Sequence, residues 1–230
     1  MTIVGLVGGL GPESTIDYYR RILAGWDRIH PSDMPSIVID SLDVQTGLRL
    51  AANDRQGLFE YLLKSIRRLE GAGSDFIAMT ANTAHLVFDE LAALAKVPMI
   101  SIVEVCAAEA QRKGFRRPLL LGTRFTMQSS FYPTVFSKYE MTIVPPNETE
   151  RPWLHERYVE QLLKGDFRDD TRRDVIALVE RIRERDNVDG VILGGTELPL
   201  LLESEEIAGL QTIDTTALHV ASIIDRLQTG

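Results

Sequence analysis

Short runs rich in valine and isoleucine alternate along this chain with longer segments whose apolar residues recur at helical spacing, and this alternation restricts the fold more than any other feature. Strands that read as nearly continuous apolar runs are buried on both faces, the pattern of a parallel sheet covered by helices on each side. Residues 2–7, 36–42, 75–80, 98–101, 118–122, 141–145, 189–194 and 211–213 are the expected strands. Between them Ile16, Tyr19, Ile22, Leu23 and Trp26 repeat at helical spacing, as do Leu58, Leu62, Ile66 and Leu69. Val175, Leu178, Val179 and Ile182 keep the same rhythm, and so do Leu218, Ile223 and Leu227. The fold class is therefore α/β.

The segments that follow these strands suggest two related halves. Strand 2–7 runs into Gly8-Gly9-Leu10-Gly11 and strand 75–80 into Ala81-Asn82-Thr83, each ahead of a helix. Strand 118–122 runs into Thr123-Arg124-Phe125-Thr126, and strand 189–194 into Gly195-Thr196-Glu197. With a division near Val97-Pro98, residues 1–97 together with 214–230 are expected to form an N-terminal lobe and residues 98–213 a C-terminal lobe. Ligands of open α/β sheets bind beyond the carboxyl ends of the strands, so the four loops are expected to line one cleft.

Composition removes several function classes. A formal net charge of −8 argues against a nucleic-acid partner, which requires a concentrated basic surface. Arg116-Arg117 and the mixed run from Arg168 to Arg185 read as solvated faces. No apolar stretch approaches the ~20 residues that span a membrane, and Met1-Thr2-Ile3-Val4 leads into a strand rather than a secretory leader, so no membrane association and a cytoplasmic location are expected. The single cysteine, Cys106, fits a reducing compartment and reads as a small buried hydrophobe. His30, His155 and His219 are scattered, and no Cys/His/Asp spacing suggests a metal site.

The loops nevertheless carry useful chemistry. In Gly8-Gly9-Leu10-Gly11-Pro12-Glu13-Ser14-Thr15 the glycines let backbone N–H groups approach an anion at a helix N-terminus, with Pro12 suited to the first turn. The glycine spacing is wrong for a dinucleotide fingerprint, and the Gly-Lys-Ser/Thr of a Walker A loop is missing. Asn82, Thr83, Thr123, Thr126 and Thr196 supply neutral donors and acceptors suited to a small ligand bearing carboxylates and an amine. Helix caps and Asx or Ser/Thr turns account for each of them singly, and their joint placement at strand ends is what points to a site. His85 and Glu197 follow the two principal loops and are candidate proton carriers, with a structural hydrogen bond and a helix-dipole contact as their simpler roles. Arg49 and Lys164 are candidate carboxylate clamps.

Taken together, Gly8-Gly9-Leu10-Gly11-Pro12-Glu13-Ser14-Thr15, Ala81-Asn82-Thr83-Ala84-His85, Phe136-Ser137-Lys138-Tyr139 and Gly194-Gly195-Thr196-Glu197 resemble the aspartate/glutamate racemase family over nearly the whole chain. The resemblance implies two pseudo-symmetric lobes, each a mainly parallel sheet flanked by helices, with the amino-acid site in the cleft between them and commonly a homodimer. It implies no cofactor. Family members use two thiols, one before Asn-Thr and one after Gly in a Gly-Cys-Thr motif, to remove a Cα proton on one face and return it on the other.

Carried over residue by residue, the thiol positions are Ala81 and Gly195, and neither side chain transfers a proton. Gly9, Leu10, Asn82, Thr83, Thr123, Thr126 and Thr196 keep the surrounding substrate-binding motifs, while Arg49 and Lys164 fall close to basic residues of the family. Thr80 and Thr83 are the nearest hydroxyls to Ala81, but an aliphatic hydroxyl without an activating base is a poor substitute for a thiol. The expectation is a racemase-fold protein that retains a pocket for an amino dicarboxylate or related small acid and has lost two-thiol racemisation. Two alternatives stay open: decarboxylation, isomerisation or elimination in the same cleft with His85, Glu197 or a threonine as proton carrier, and a non-catalytic ligand-binding module.

Overall fold

A computed structural model describes residues 2–229, and the chain divides into two compact units, Met1–Ile102 with Thr216–Gly230, and Val103–Thr215. In chain order the first unit holds β1 (Ile3–Gly8), α1 (Pro12–Asp27), β2 (Ser36–Ser41), α2 (Val44–Asn53) and α3 (Arg55–Gly71). These are followed by β3 (Phe76–Met79), a 3-10 turn at Thr83–Val87, α4 (Phe88–Leu94) and β4 (Met99–Ile100). Helix α5 (Ile102–Arg112) leads into the second unit, which holds β5 (Leu119–Leu121), α6 (Arg124–Gln128), α7 (Phe131–Ser137), α8 (Glu150–Glu160) and α9 (Asp169–Asp186). It is completed by β6 (Val191–Leu193), α10 (Leu198–Leu202), β7 (Glu206–Ile207) and β8 (Leu210–Asp214), after which α11 (Thr215–Thr229) returns the chain to the first unit.

The first sheet has the order β2-β1-β3-β4, and its three pairings are parallel. Its central strands bury both faces with period two. Val4, Leu6, Phe76 and Ala78 pack with Tyr18, Ile22 and Trp26 of α1 and with Val220, Ile223, Ile224 and Leu227 of α11. Val7, Ile77 and Met79 pack on the other side with Leu58, Leu62, Ile66 and Leu69 of α3. Both faces are apolar because both are covered, which is why the strands read as unbroken apolar runs.

The second sheet has the order β5-β6-β8-β7, parallel except for the final pair. Leu119, Leu121, Val191 and Leu193 share a core with Leu154 and Tyr158 of α8, with Val175, Leu178, Val179 and Ile182 of α9, and with Leu198 and Leu201 of α10. The edge differs from the sequence reading in two places. Residues 141–145 form no strand. Val144 makes an isolated parallel bridge to Leu119, and Pro145-Pro146, which have no N–H to donate, end the pairing there. The short strand β7, by contrast, is not foreseen. It pairs antiparallel with β8 across Ala208 and Gly209, both at positive φ, a tight hairpin turn without the Asn-Gly or Asp-Gly that usually announces one.

Candidate functional site

In the first unit the strand-end candidates follow β1 and β3, the two central strands of its sheet, and in the second they follow β6, a central strand, and β5 beside it at the sheet's edge. In the first unit Thr15, on the opening turn of α1, ties the two loops together. Its Oγ1 accepts from the N–H of Gly9 at 2.8 Å, donates to the carbonyl of Gly11 at 3.1 Å, and lies 3.2 Å from Oγ1 of Thr80. The Gly9 N–H is thus already paired within the loop. Gly9 has φ +78°, and a Cβ there would collide with the carbonyl oxygen of Leu42, so only glycine fits this turn. Thr80 is fully buried, and its hydroxyl donates back to the Val7 carbonyl of β1 at 3.3 Å.

Ala81 is 6% exposed and belongs to the apolar cluster under α3, with Asn82 buried and Thr83 half-buried beside it. His85 is held from both sides. The N–H of Ile102 donates to Nε2 at 3.2 Å, so Nδ1 carries the proton and donates to the carbonyl of Ala81, also at 3.2 Å. The ring stacks on Phe88 at 4.9 Å. Burial, with the nearby His219 adding to it, lowers the His85 pKa to about 3 and keeps the ring neutral. Both nitrogens are committed to backbone, the geometry of a structural histidine that fixes the loop after β3.

The second unit is different. Thr123 caps α6, accepting from the N–H of Thr126 at 3.3 Å, and both threonines are buried. Beyond β6, a Cβ on Gly195 would stand 2.5 Å from Cε2, 2.6 Å from the hydroxyl oxygen and 2.8 Å from Cζ of Tyr158. Gly195 is not among the glycines at positive φ, so space rather than backbone conformation demands a glycine here. The phenol ring from α8 fills the volume into which a side chain at 195 would project.

The Tyr158 hydroxyl donates to Oε2 of Glu197 in a short hydrogen bond and accepts from the Glu197 N–H at 3.3 Å. Thr196 Oγ1 donates to the same Oε2 at 3.2 Å. Tyr158 is 2% exposed and Glu197 1%. Burial first, and the charge of Glu197 second, push the Tyr158 pKa well above the usual phenol value. Tyr158 is the residue that sequence reasoning missed. With Leu154 at i−4 it reads as core, and the available signal was indirect: a glycine that no turn required.

The two candidate clamps lie outside these buried constellations. Arg49 is exposed on α2. Lys164 is exposed in the turn after α8 and pairs with Glu160 at 2.6 Å. Among the described residues no cluster of three or more His, Cys, Asp or Glu could hold a metal ion, and no helix is long and apolar enough to cross a membrane. Cys106 is fully buried in α5, far from the thiol chemistry considered for 81 and 195 in chain position, and burial raises its pKa well above the normal thiol value.

A broad specificity amino-acid racemase of Bacillus subtilis, RacX, is 30% identical over 140 residues, which span 58% of this chain and 60% of that relative. An aspartate racemase homologue from Pyrococcus horikoshii superposes with a TM-score of 0.81 at 32% identity, over 99% of this chain and 100% of the other. A Yersinia pestis protein described as a candidate Asp/Glu racemase superposes with a TM-score of 0.86 at 29% identity, over the full length of both chains. The model of the Asp/Glu/hydantoin racemase family matches residues 7–223, and the chain belongs to that family.

Proposed function

We propose that this protein binds a small amino acid or amino dicarboxylate at its strand-end loops, without a cofactor, and does not interconvert enantiomers by the two-thiol route. One observation carries this reading: the positions at which the family resemblance implies thiols hold Ala81, packed in an apolar core, and Gly195, whose side-chain volume is occupied by Tyr158. The neutral donors around them, Asn82, Thr83, Thr123, Thr126 and Thr196, are all present. The names of the relatives, a broad specificity amino-acid racemase and an aspartate racemase homologue, support amino acids as the ligand class. Arg49 is the proposed carboxylate clamp, a role that Lys164 can take only by leaving Glu160. We further propose a homodimer, as the family resemblance implies, in the cytoplasm, a reducing compartment that the single cysteine fits.

The test is thermal unfolding in the presence of L- and D-aspartate, L- and D-glutamate and a panel of neutral amino acids, paired with chiral chromatography of the same mixtures. A ligand that binds only the folded state raises apparent stability by mass action, about 2.7 kcal/mol at one hundred times its Kd. The expected result is a selective rise in Tm with no racemisation at enzymatic rates. Racemisation at those rates contradicts the mechanistic half, and no response to any member of the panel contradicts the ligand class.

A further inference from the structure

We propose that Tyr158 and Glu197 form a proton relay that replaces the missing side chain at position 195, with the phenol oxygen of Tyr158 as the atom that exchanges a proton with the bound ligand. The inference rests on the amino-acid-binding reading above.

Three observations converge. The hydroxyl of Tyr158 lies 2.6 Å from the place a Cβ of residue 195 would occupy, so an O–H group stands close to where a thiol one bond beyond that Cβ would be. That hydroxyl already points its proton at a carboxylate, Oε2 of Glu197, which also accepts from Thr196. Finally, the pair is buried. A carboxylate and a phenol withdrawn from water are costly unless they satisfy one another, and Glu197 sets this buried pair at the strand-end loop after β6, a place suited to handling charge.

The proton balance closes within the pair. When the ligand's Cα–H bond breaks, its proton bonds to the phenol oxygen while the phenolic proton passes to Oε2 of Glu197. The electron pair stays on Cα as a carbanion delocalised into the ligand's carboxylate, Tyr158 is again a neutral phenol, and Glu197 is a neutral acid. The reverse sequence returns a proton to Cα. No free tyrosinate is required, which suits a phenol whose burial and acidic neighbour hold it protonated.

The relay is a single acid–base group, so it returns a proton to the face of the ligand from which it took one. At the second position where the family resemblance implies a thiol, Ala81 offers no acid or base, and the adjacent Thr80 hydroxyl is engaged with Val7 and Thr15. The protein should therefore exchange the Cα hydrogen with solvent while preserving configuration, a signature distinct from both racemisation and simple binding.

The test follows the Cα proton signal of L- and D-aspartate, L- and D-glutamate and L-alanine by NMR in D2O with the wild-type protein, Tyr158→Phe, Glu197→Gln and the double variant, whose neutral pair covers the case in which a single variant fails to fold. Thermal unfolding with the same ligands reports binding in parallel. Expected is exchange with retention in the wild type, and a loss of at least about 100-fold in each variant, since positioned proton transfer contributes about 10²–10⁴-fold. The ligand-induced rise in Tm should be kept, a split that a merely structural role for Glu197 would not produce. Folded variants that exchange within threefold of wild type overturn the relay. Exchange and binding lost together assign the pair to holding the ligand or the loop rather than to proton transfer, and also overturn it. Binding without exchange in the wild type overturns the relay and leaves the ligand reading standing, whereas neither binding nor exchange removes both.

Discussion

Gly195 and Tyr158 share one side-chain volume: the backbone of the first gives up a Cβ, and the ring of the second comes to 2.5 Å of where that atom would be. Real Cβ atoms do not approach ring carbons so closely, and Tyr158 is held by Glu197 and by its packing in α8. Restoring the thiol with Gly195→Cys is therefore expected to destabilise the fold by about 1–3 kcal/mol, the usual cost of overfilling a packed core. Tyr158→Ala alone opens a cavity and leaves Glu197 without its phenol, also at a cost. The double variant Gly195→Cys/Tyr158→Ala should be more stable than the sum of the two, because each substitution removes the other's problem. Urea titration of the four proteins measures the coupling, and strict additivity would show that the two positions do not compete for space.

The same pair marks the limit of what the sequence reveals. Alternating strand and helix patterns exposed both sheets because burial on two faces leaves continuous apolar runs, as in Val4, Leu6 and Val7. The loops after β1, β3, β5 and β6 were legible because glycine, threonine and asparagine at strand ends have few other roles together. The Tyr158–Glu197 contact joins residues 39 apart in sequence and depends on how α8 lies against β6, which no local pattern encodes. The strand expected at 141–145 shrinks to the bridge at Val144 for the opposite reason: Thr142 and Val144 donate to the Arg116 and Pro118 carbonyls, but Pro145-Pro146 have no N–H to carry the pairing on. His85 illustrates a third case. Its place at the loop was correct, yet its bonding to Ala81 and Ile102 is visible only once the 3-10 turn exists.

Two buried histidines set a pH dependence. His219 lies 2.9 Å from the Tyr18 hydroxyl through Nδ1 and 3.1 Å from the Ile100 carbonyl through Nε2, and burial lowers its pKa to about 4. His85 falls to about 3. Both pKa values are depressed relative to an unfolded value near 6.5, so the unfolded chain binds protons that the native state refuses. Stability is full above about pH 6.5 and declines as pH falls toward the folded values. Acting together, the two histidines should cost roughly 4 kcal/mol between pH 8 and pH 5, at about 1.4 kcal/mol per pH unit each once well below 6.5. Urea midpoints across that range give the slope directly. A flat profile from pH 8 to 5 would mean that neither ring is neutral and buried as described.

Cys106 is the only thiol in the chain and is completely enclosed in α5. Burial raises its pKa, with the charge of Glu109 adding to the effect, so the reactive thiolate is disfavoured as well as inaccessible. A thiol reagent such as dithionitrobenzoate should find no reactive group in the native protein and one in the protein unfolded in urea. Cys106→Ala should leave ligand-dependent stabilisation and Cα exchange unchanged while costing about 1 kcal/mol of stability for the lost buried volume. Rapid labelling of the native protein would contradict the burial of α5.

Gly9 provides the sharpest test of the loop after β1. Its φ of +78° lies in the region that side chains rarely adopt, and a Cβ would be driven into the Leu42 carbonyl, an atom of backbone that cannot rotate away. Gly9→Ala therefore combines dihedral strain with a fixed clash and should cost at least about 1–3 kcal/mol. The consequence extends beyond stability. The Gly9 N–H bonds to Thr15, and Thr15 lies against Thr80, the residue immediately before Ala81. Displacing Gly9 therefore disturbs both strand-end loops of the first unit. Thr15→Val removes the same tie without the backbone strain. Both variants should lose the ligand-induced rise in Tm, with Gly9→Ala the less stable of the two in urea. If Thr15→Val keeps full ligand stabilisation, the bond to Gly9 serves the turn alone and the loop does not depend on it for binding.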